Sequence, residues 1–124
     1  MANINNFTKP ETAIKVHVGS LDDMGQRFID AWHRAERGEA VNETHVTFHD
    51  LPALLAALTP KRLDLLRYVR HHEVHTIKAL AADLHRDYKN VHRDVEELTK
   101  LGLLTRTAGQ VTAPYGEVDA KFVL

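Results

Sequence analysis

The hydrophobic positions between residues 76 and 102 recur with helical spacing in two short runs. The first run has i, i+3, i+4, i+7 spacing and comprises Ile77, Leu80, Ala81 and Leu84. The second run has spacings of four, three and three and comprises Val91, Val95, Leu98 and Leu101. Thr76 and Asp87 precede the runs, where N-cap residues belong, and Gly102 follows the second. The pattern predicts two amphipathic helices joined by the polar turn 85–87, a helix-turn-helix.

The polar positions of the second helix divide its outer surface into a basic first half and an acidic second half. The first two turns carry Lys89, Asn90, His92 and Arg93, and the later turns carry Asp94, Glu96 and Glu97, which we expect to be solvated. A recognition helix enters the major groove with its N-terminal residues at the base edges. The partial positive charge of a helix N-terminus adds to this attraction. The second helix therefore has the polarity expected of a DNA-recognition helix.

The elements predicted before and after these two helices are, taken together with them, typical of a winged helix. Two further helices are predicted before them, one capped by Asp50 and one opened by the pair Thr59-Pro60. After them, β-like segments on either side of Ala108-Gly109 predict a hairpin. A final alternating segment at 118–124 predicts a strand that pairs with another element.

The N-terminal part follows a different pattern. Alternation of apolar and polar residues predicts short strands at 15–18 and 45–48. Between them lies a predicted helix of about five turns, closed by Gly38. Its apolar stripe recurs at three and four residues and comprises Leu21, Met24, Phe28, Trp32 and Ala35.

These patterns predict an α+β fold that is mainly α, with a winged helix-turn-helix after an N-terminal strand-helix-strand extension. We expect a disordered N-terminus at 1–13, the extension at 14–49 and the DNA-binding domain at 50–124. The helix of the extension has more apolar surface than one small domain covers, so we expect a dimer interface or a partner-binding surface there. Its residues are Leu21, Met24, Phe28 and Trp32.

Composition restricts the class of protein. The 124-residue chain contains no cysteine, which excludes disulfides and thiolate chemistry. Its apolar runs fall short of the roughly 20 residues of a membrane span, and its N-terminus lacks the pattern of a signal peptide. We therefore expect a cytoplasmic protein with no membrane association.

The net charge of −1 conceals an asymmetry between the two halves. Segment 59–110 holds ten of the 16 Lys and Arg and seven of the 17 Asp and Glu, so it carries 10 − 7 = +3. The remainder carries 6 − 10 = −4. A basic half beside an acidic half indicates different partners for the two. An ordinary solvated surface is the alternative interpretation of so small an excess.

Nine histidines suggest a metal site as an alternative. The run 71–75 approximates the HExxH zinc motif, but only Val74 separates Glu73 from His75, and the motif requires two residues there. We therefore expect no metal and no cofactor. The sequence also lacks a glycine-rich phosphate loop and a nucleophile elbow, so we expect no catalytic residues and no enzyme activity.

The chain resembles MarR-like winged helix-turn-helix transcriptional regulators, particularly a group of small prokaryotic DNA-binding proteins. The resemblance covers 48–114 and rests on the phrases LTPKRLDLL, DYKNVHRDV and LGLL. Members of that group are often encoded beside a TumE-type toxin. The resemblance thus implies an autoregulating antitoxin of a type II toxin-antitoxin pair. The partners it implies are double-stranded operator DNA, a second copy in a homodimer and a toxin encoded nearby.

Nine residues follow as candidates for DNA contact: Thr76, Lys78, Arg86, Tyr88, Lys89, Asn90, His92, Arg93 and Arg106. For Tyr88 the alternative is packing against the first helix with only its hydroxyl exposed. The alternative function is a protein-interaction module that neutralises a partner protein with little or no DNA binding. The winged helix serves both uses, so the two remain open at this point.

Overall fold

A computed structural model of the protein describes residues 13–19, 21–39 and 44–121, although the side chains of 21–23 lie outside the description. Within these ranges the chain is a mixed α/β structure. It contains five helices, a three-stranded parallel sheet and a small antiparallel hairpin near the C-terminus. No helix in the described part is both long and apolar enough to cross a bilayer.

Contacts within the chain group it into two compact units. One comprises Met1–Leu54 and Glu117–Leu124, and the other comprises Leu55–Gly116. The domain expected from the sequence comprises all of 50–124, whereas contacts group the last strand with the N-terminal unit. The difference arises because that strand is grouped by its partner in space, which lies far away along the chain.

The N-terminal unit is built on a parallel sheet in which β1 (Ala13–Val18) is the central strand. It is flanked by β2 (Thr44–Phe48) and by β5 (Glu117–Lys121), and both pairings are parallel. The strands predicted at 15–18 and 45–48 are confirmed. The predicted final strand is present up to residue 121, and its remaining residues, 122–124, lie outside the described residues.

The alternation of β1 separates an apolar face of the sheet from a polar one, because successive strand side chains point in opposite directions. Ile14 and Val16 are buried on the first face. On the other face Lys15 pairs with Asp119 of β5, with 3.4 Å between Nζ and Oδ2. His17 lies on the same polar face as Lys15.

Between β1 and β2 the chain forms α1 (Leu21–Glu36), as the apolar stripe predicts. Gly38, with a φ of 83°, follows the helix as a left-handed C-terminal residue. Among the side chains of α1 that the structure describes, the half-buried ones have i, i+4, i+7 spacing and are Arg27, Ala31 and Arg34. Arg27 Nη2 donates to Thr47 Oγ1 of β2 at 2.6 Å, which ties this side of the helix to the sheet.

His17 and His45 form a stacked pair on the polar face of the sheet. Their ring centroids lie 4.9 Å apart, and His17 Nε2 is 2.7 Å from His45 Nδ1. In this hydrogen bond one imidazole must donate and the other must accept. If both rings were protonated, two N–H donors would point at each other and the bond would be lost. Burial lowers the pKa of His17, and the positive charges of Arg27, His45, Lys121 and Lys15 lower it further.

The stability of the protein is therefore expected to fall as the pH drops below about 6.5, the ordinary pKa of histidine. The lowered pKa means that the folded state binds a proton less readily than the unfolded state, so stability present above pH 6.5 is lost on acidification. Urea unfolding of wild type and His17→Gln at several pH values measures the effect. The pH dependence should be weaker in His17→Gln than in wild type; equal curves for the two proteins would contradict the lowered pKa of His17.

The second unit begins within α2 (Leu51–Ala57) and continues with α3 (Pro60–His71). Thr59 caps α3, since its hydroxyl accepts from the backbone N–H of Arg62 at 3.2 Å. The next residue, Pro60, has no backbone N–H, so the first turn has one fewer amide without a helical partner. The helix start predicted at Thr59-Pro60 is confirmed.

Two more helices and the hairpin complete this unit. They are α4 (Ile77–Leu84), α5 (Tyr88–Lys100), β3 (Thr105–Thr107) and β4 (Gln110–Thr112). Gly109 has a φ of 79° at the hairpin turn, where the sequence predicts Ala108-Gly109. The hairpin is tied to the rest of the unit because the N–H of Val111 donates to the carbonyl of Val74 at 2.8 Å.

The core of the second unit consists of the predicted helix stripes and the apolar residues of the hairpin region. Its buried members are Leu65, Val69, Val74, Ile77, Leu80, Ala81, Val91, Val95, Leu98, Leu103, Leu104, Val111 and Ala113. Leu84 and Leu101, also predicted on the stripes, are half-buried. The burial of these stripes determines which side of α4 and α5 faces outward.

Candidate nucleic-acid interface

Two N-caps determine where α4 and α5 begin. Thr76 Oγ1 accepts from the N–H of Ala79 at 3.0 Å, and Asp87 Oδ2 accepts from the N–H of Asn90 at 3.2 Å. Such bonds satisfy first-turn amides that lack helical partners. Both predicted caps are confirmed, and the α5 cap places Tyr88 at the first position of that helix.

The first two turns of α5 expose three polar side chains together. Lys89, Asn90 and Arg93 are all exposed, and Arg93 Nη1 donates to Asn90 Oδ1 at 3.3 Å. The core does not use them, because the buried face of the helix is formed by Val91, Val95 and Leu98. A cation, an amide and a guanidinium are the groups that contact phosphates and the edges of bases.

Tyr88 and His92 flank this polar surface. Tyr88 is 48% exposed, and its ring centroid lies 5.7 Å from that of His92, one turn later on the same helix. His92 in turn lies 3.5 Å from a carboxylate oxygen of Glu96. Much of the Tyr88 ring is therefore accessible, which differs from the alternative in which only its hydroxyl would be exposed.

Asp94 does not lie on a solvated face, which corrects the sequence-based expectation. It is only 8% exposed, and its carboxylate accepts from Arg62 Nε at 2.9 Å and from Arg86 Nη2 at 2.8 Å. The physical reason is helical spacing: position 94 follows Val91 by three residues and precedes Leu98 by four, so it belongs to the buried stripe. This spacing was visible in the sequence and could have identified Asp94 as a buried acid.

Arg86 also differs from its expected role as a DNA contact. Its side chain is 18% exposed, Nη2 is bonded to Asp94, and Nη1 is buried without a hydrogen-bond partner among the described residues. A buried carboxylate requires a counter-ion. Arg86 serves that need within the fold, so its guanidinium is not presented outward as that of Arg93 is.

Arg62 connects the buried carboxylate to two other helices. Besides its bond to Asp94, Arg62 Nη1 donates to the carbonyl of Ala57 at 3.0 Å, at the end of α2. A cation at a helix C-terminus satisfies carbonyls that have no helical partner. Arg62, Asp94 and Arg86 are here termed the buried triad. Their contacts hold α5 in place through its buried side.

The other two basic candidates lie outside α5. Lys78 is exposed in the first turn of α4, and Arg106 is exposed on β3, opposite Val111 of β4. The hairpin is held beside the start of α4, because an imidazole nitrogen of His75 lies 2.9 Å from the carbonyl oxygen of Gly109. Both cations are therefore available to a polyanion.

The histidines of the run 71–75 make individual contacts. His72 stacks on Tyr68 with ring centroids 3.9 Å apart, and its Nδ1 lies 2.9 Å from the carbonyl oxygen of Tyr68. His75 contacts Gly109 and lies 3.3 Å from Glu73. Among the described residues, no three His, Asp or Glu side chains lie close enough together to hold a metal ion.

The predicted interface residues lie on α1 in the other unit. Met24, Phe28 and Trp32 are exposed by 43%, 67% and 58%. The side chain of Leu21, the fourth predicted residue, lies outside the described part of the chain. The apolar stripe of α1 is therefore open over the part that the structure describes.

Comparison with known proteins yields one family. The model of the HVO_A0114 family matches residues 57–120, which is more than half of the chain and extends from α2 into β5. No curated protein and no solved structure matches the chain.

Proposed function

The chain belongs to the HVO_A0114 family, and we propose that it is a sequence-specific DNA-binding transcriptional regulator with a winged helix-turn-helix. The observation that carries this proposal is the exposed polar surface at the start of α5, formed by Lys89, Asn90 and Arg93. These residues lie on the helix end that carries a partial positive charge, which favours a polyanion.

Each exposed side chain of this surface has a distinct use on DNA. Arg93 suits bidentate bonding to a guanine and Asn90 to an adenine, whereas Lys89 suits a phosphate. The hydrogen bond between Arg93 and Asn90 restrains the two side chains before DNA arrives, so less freedom is lost on binding. Thr76, Lys78, Tyr88 and His92 lie nearby in sequence and complete the proposed contact surface. Arg86 is not included, because it is bonded to Asp94.

The acidic end of α5 determines how the helix would enter the groove. Glu96 is exposed and Glu97 half-buried, and both follow the basic first two turns. Carboxylates near the phosphate backbone would be repelled. The helix would therefore approach DNA with its N-terminal end leading, as recognition helices do.

The hairpin β3–β4 takes the role of the wing. Arg106 extends from β3 and would contact a phosphate or the minor groove. Removing it should weaken binding to all sequences and lower the slope of log affinity against log salt by about one contact. A salt titration of Arg106→Ala measures this, with the exposed Arg37→Ala of the other unit as matched control. A slope equal to that of wild type would mean that the hairpin does not reach DNA.

We further propose that the regulator is a cytoplasmic, autoregulating antitoxin of a type II pair that binds its operator as a homodimer. The support is the resemblance of segment 48–114 to the group encoded beside TumE-type toxins. A two-fold dimer would double the small surface that one recognition helix and one wing offer to DNA.

One observation favours a second candidate function. The exposed apolar stripe of α1 is also suited to a partner protein, because exposed apolar patches mark interaction sites. Under this alternative the chain is an interaction module that neutralises its partner with little or no DNA binding. The neighbouring gene product would then bind the chain at high salt, where electrostatic DNA contacts fail.

Fluorescence anisotropy with the full-length protein tests the main proposal. The probes are a duplex from the DNA immediately upstream of its own gene and a shuffled duplex of equal length. We expect preferential binding of the upstream duplex and a linear fall of log affinity with log salt. Equal affinity for both duplexes, or binding that does not depend on salt, would exclude sequence-specific regulation and leave the interaction module.

A further inference from the structure

Helix α1 presents large apolar side chains to solvent on one side. Met24, Phe28, Ile29 and Trp32 are exposed by 43%, 67%, 46% and 58%. The Phe28 and Trp32 rings lie 6.5 Å apart and form a continuous aromatic surface. The half-buried side of the helix, with Arg27 bonded to the sheet, lies in another direction. This exposed side, here termed the α1 face, is therefore not needed to attach the helix to its own sheet.

The area of the α1 face is large for one helix. Side chains of this size present on the order of 150–250 Å² when fully open, so the exposed fractions amount to roughly 400 Å² per copy. That is about half of the roughly 800 Å² that each partner contributes to a stable interface. The flanking turns of a 16-residue helix would supply much of the remainder.

The apolar stripe of α1 is symmetric about Phe28, apart from Ile29, whose counterpart is Arg27. Met24 lies four residues before Phe28 and Trp32 four residues after it. The sequence continues the symmetry, with Leu21 seven residues before and Ala35 seven residues after. A two-fold interface must be complementary to itself, and two antiparallel helices crossing at their midpoints bring position 28 − n beside position 28 + n. The stripe matches that requirement.

The charges of α1 are unevenly distributed along the helix. The sequence places Asp22 and Asp23 in the first turn, whereas the last turn carries Glu36 beside His33 and Arg34, and Arg34 lies on the half-buried side of the helix. An antiparallel pair keeps the two acidic first turns at opposite ends of the interface, and it also opposes the two helix dipoles. A parallel pair would instead bring the two acidic first turns together.

A small residue near the centre permits close approach. Gly25 lies one turn before Phe28, and a Cβ built there would meet nothing within 4 Å among the described residues besides its chain neighbours and the backbone of its own helix. Glycine within an exposed helix is less favourable than alanine, so its own chain gains nothing from it there. A second helix packed across Phe28 could approach the backbone at this point.

From the symmetry of the stripe, the charges and the area, we propose that the α1 face binds a second copy of this chain. The two α1 helices pair antiparallel about a two-fold axis that passes beside Phe28. This deepens the proposed function, on which it rests for the role of the dimer at an operator, but the association itself requires no DNA. The consequence is that each Phe28 meets its own symmetry mate.

Charge substitutions at position 28 test this arrangement by sedimentation of the full-length protein. Wild type should sediment at twice the 14.0 kDa mass of one chain. Phe28→Asp and Phe28→Lys should each be monomeric, with the dimer dissociation constant raised by on the order of 100-fold or more, because like charges would face each other across the axis. An equimolar mixture of the two variants should associate again, since opposite charges would then meet.

Leu55→Asp is the matched control, because Leu55 is also a large apolar residue, 61% exposed, on a different helix. It should leave the dimer intact. Monomeric wild type, dissociation by Leu55→Asp to the same extent, or no recovery in the mixture would each overturn the proposal. A monomeric wild type would mean that the α1 face binds a different protein instead of a second copy. A wild-type protein that is monomeric but binds DNA would contradict the proposed dimer and leave the proposed function intact. A dimer that does not bind DNA would contradict the proposed function and leave the dimer intact.

Discussion

Replacing Asp94 with alanine is expected to lower the free energy of unfolding by about 3–5 kcal/mol, the range observed when one partner of a buried ion pair is removed. The substitution would leave the guanidinium groups of Arg62 and Arg86 buried without their shared acceptor. Their side chains are 14% and 18% exposed, so water cannot replace the carboxylate well. One nitrogen of Arg86 already lacks a hydrogen-bond partner among the described residues.

Urea unfolding monitored by circular dichroism measures the loss, with Asp64→Ala as the control. Asp64 pairs with Arg67 at 2.8 Å, but both side chains are about 70% exposed, so its removal should change stability by less than about 1 kcal/mol. Replacing all three members of the buried triad with apolar residues should restore much of the stability lost in Asp94→Ala, because no unpaired charge would remain. Equal stability of Asp94→Ala and Asp64→Ala would show that the triad has no energetic role.

Arg93→Ala is expected to weaken binding to the preferred DNA sequence by ~1–3 kcal/mol and to relax the preference at one base pair. Lys89→Ala should weaken binding to all sequences alike and reduce the salt slope by about one contact. The two variants differ in kind because a guanidinium at a base edge reads sequence, whereas an ammonium at a phosphate does not. Anisotropy titrations against the preferred duplex and single-base variants distinguish the effects.

Lys100→Ala provides the control for this pair. Lys100 is an exposed cation at the far end of α5, where its Nζ lies 3.3 Å from Glu97 Oε2. A helix that enters the groove with its N-terminal end leading should not need it. If Arg93→Ala binds as wild type does while Lys100→Ala is impaired, the orientation proposed for α5 is reversed.

Most of the helical structure of the second unit could be predicted because its determinants are local. Thr59, Thr76 and Asp87 each accept a hydrogen bond from an amide three residues ahead, so a short stretch of sequence contains the whole interaction. The apolar stripes of α4 and α5 likewise follow from 3.6-residue periodicity. The proposed contact surface on α5 follows in turn, since Lys89, Asn90 and Arg93 lie away from the stripe.

The individual roles of Arg86 and Asp94 could not be assigned in the same way. Periodicity places Asp94 among buried residues, but it does not identify which cations would neutralise it. Arg62 lies 32 residues away and Arg86 eight residues away, on the other side of a turn. The sequence therefore predicts that Arg86, two residues before α5, contacts DNA, whereas the fold uses it as a counter-ion of Asp94.

The sequence by itself determined where the helices, the hairpin and the first two strands lie, because caps, turns and periodicity act over a few residues. The tertiary structure alone decided the partner of β5, which pairs with β1 across about a hundred residues of chain. It also decided that the apolar stripe of α1 remains open, since Arg27 rather than Phe28 faces the sheet. Both outcomes depend on residues distant in sequence, because β5 needs β1 and the buried side of α1 depends on its contact with β2, and a local pattern contains neither contact.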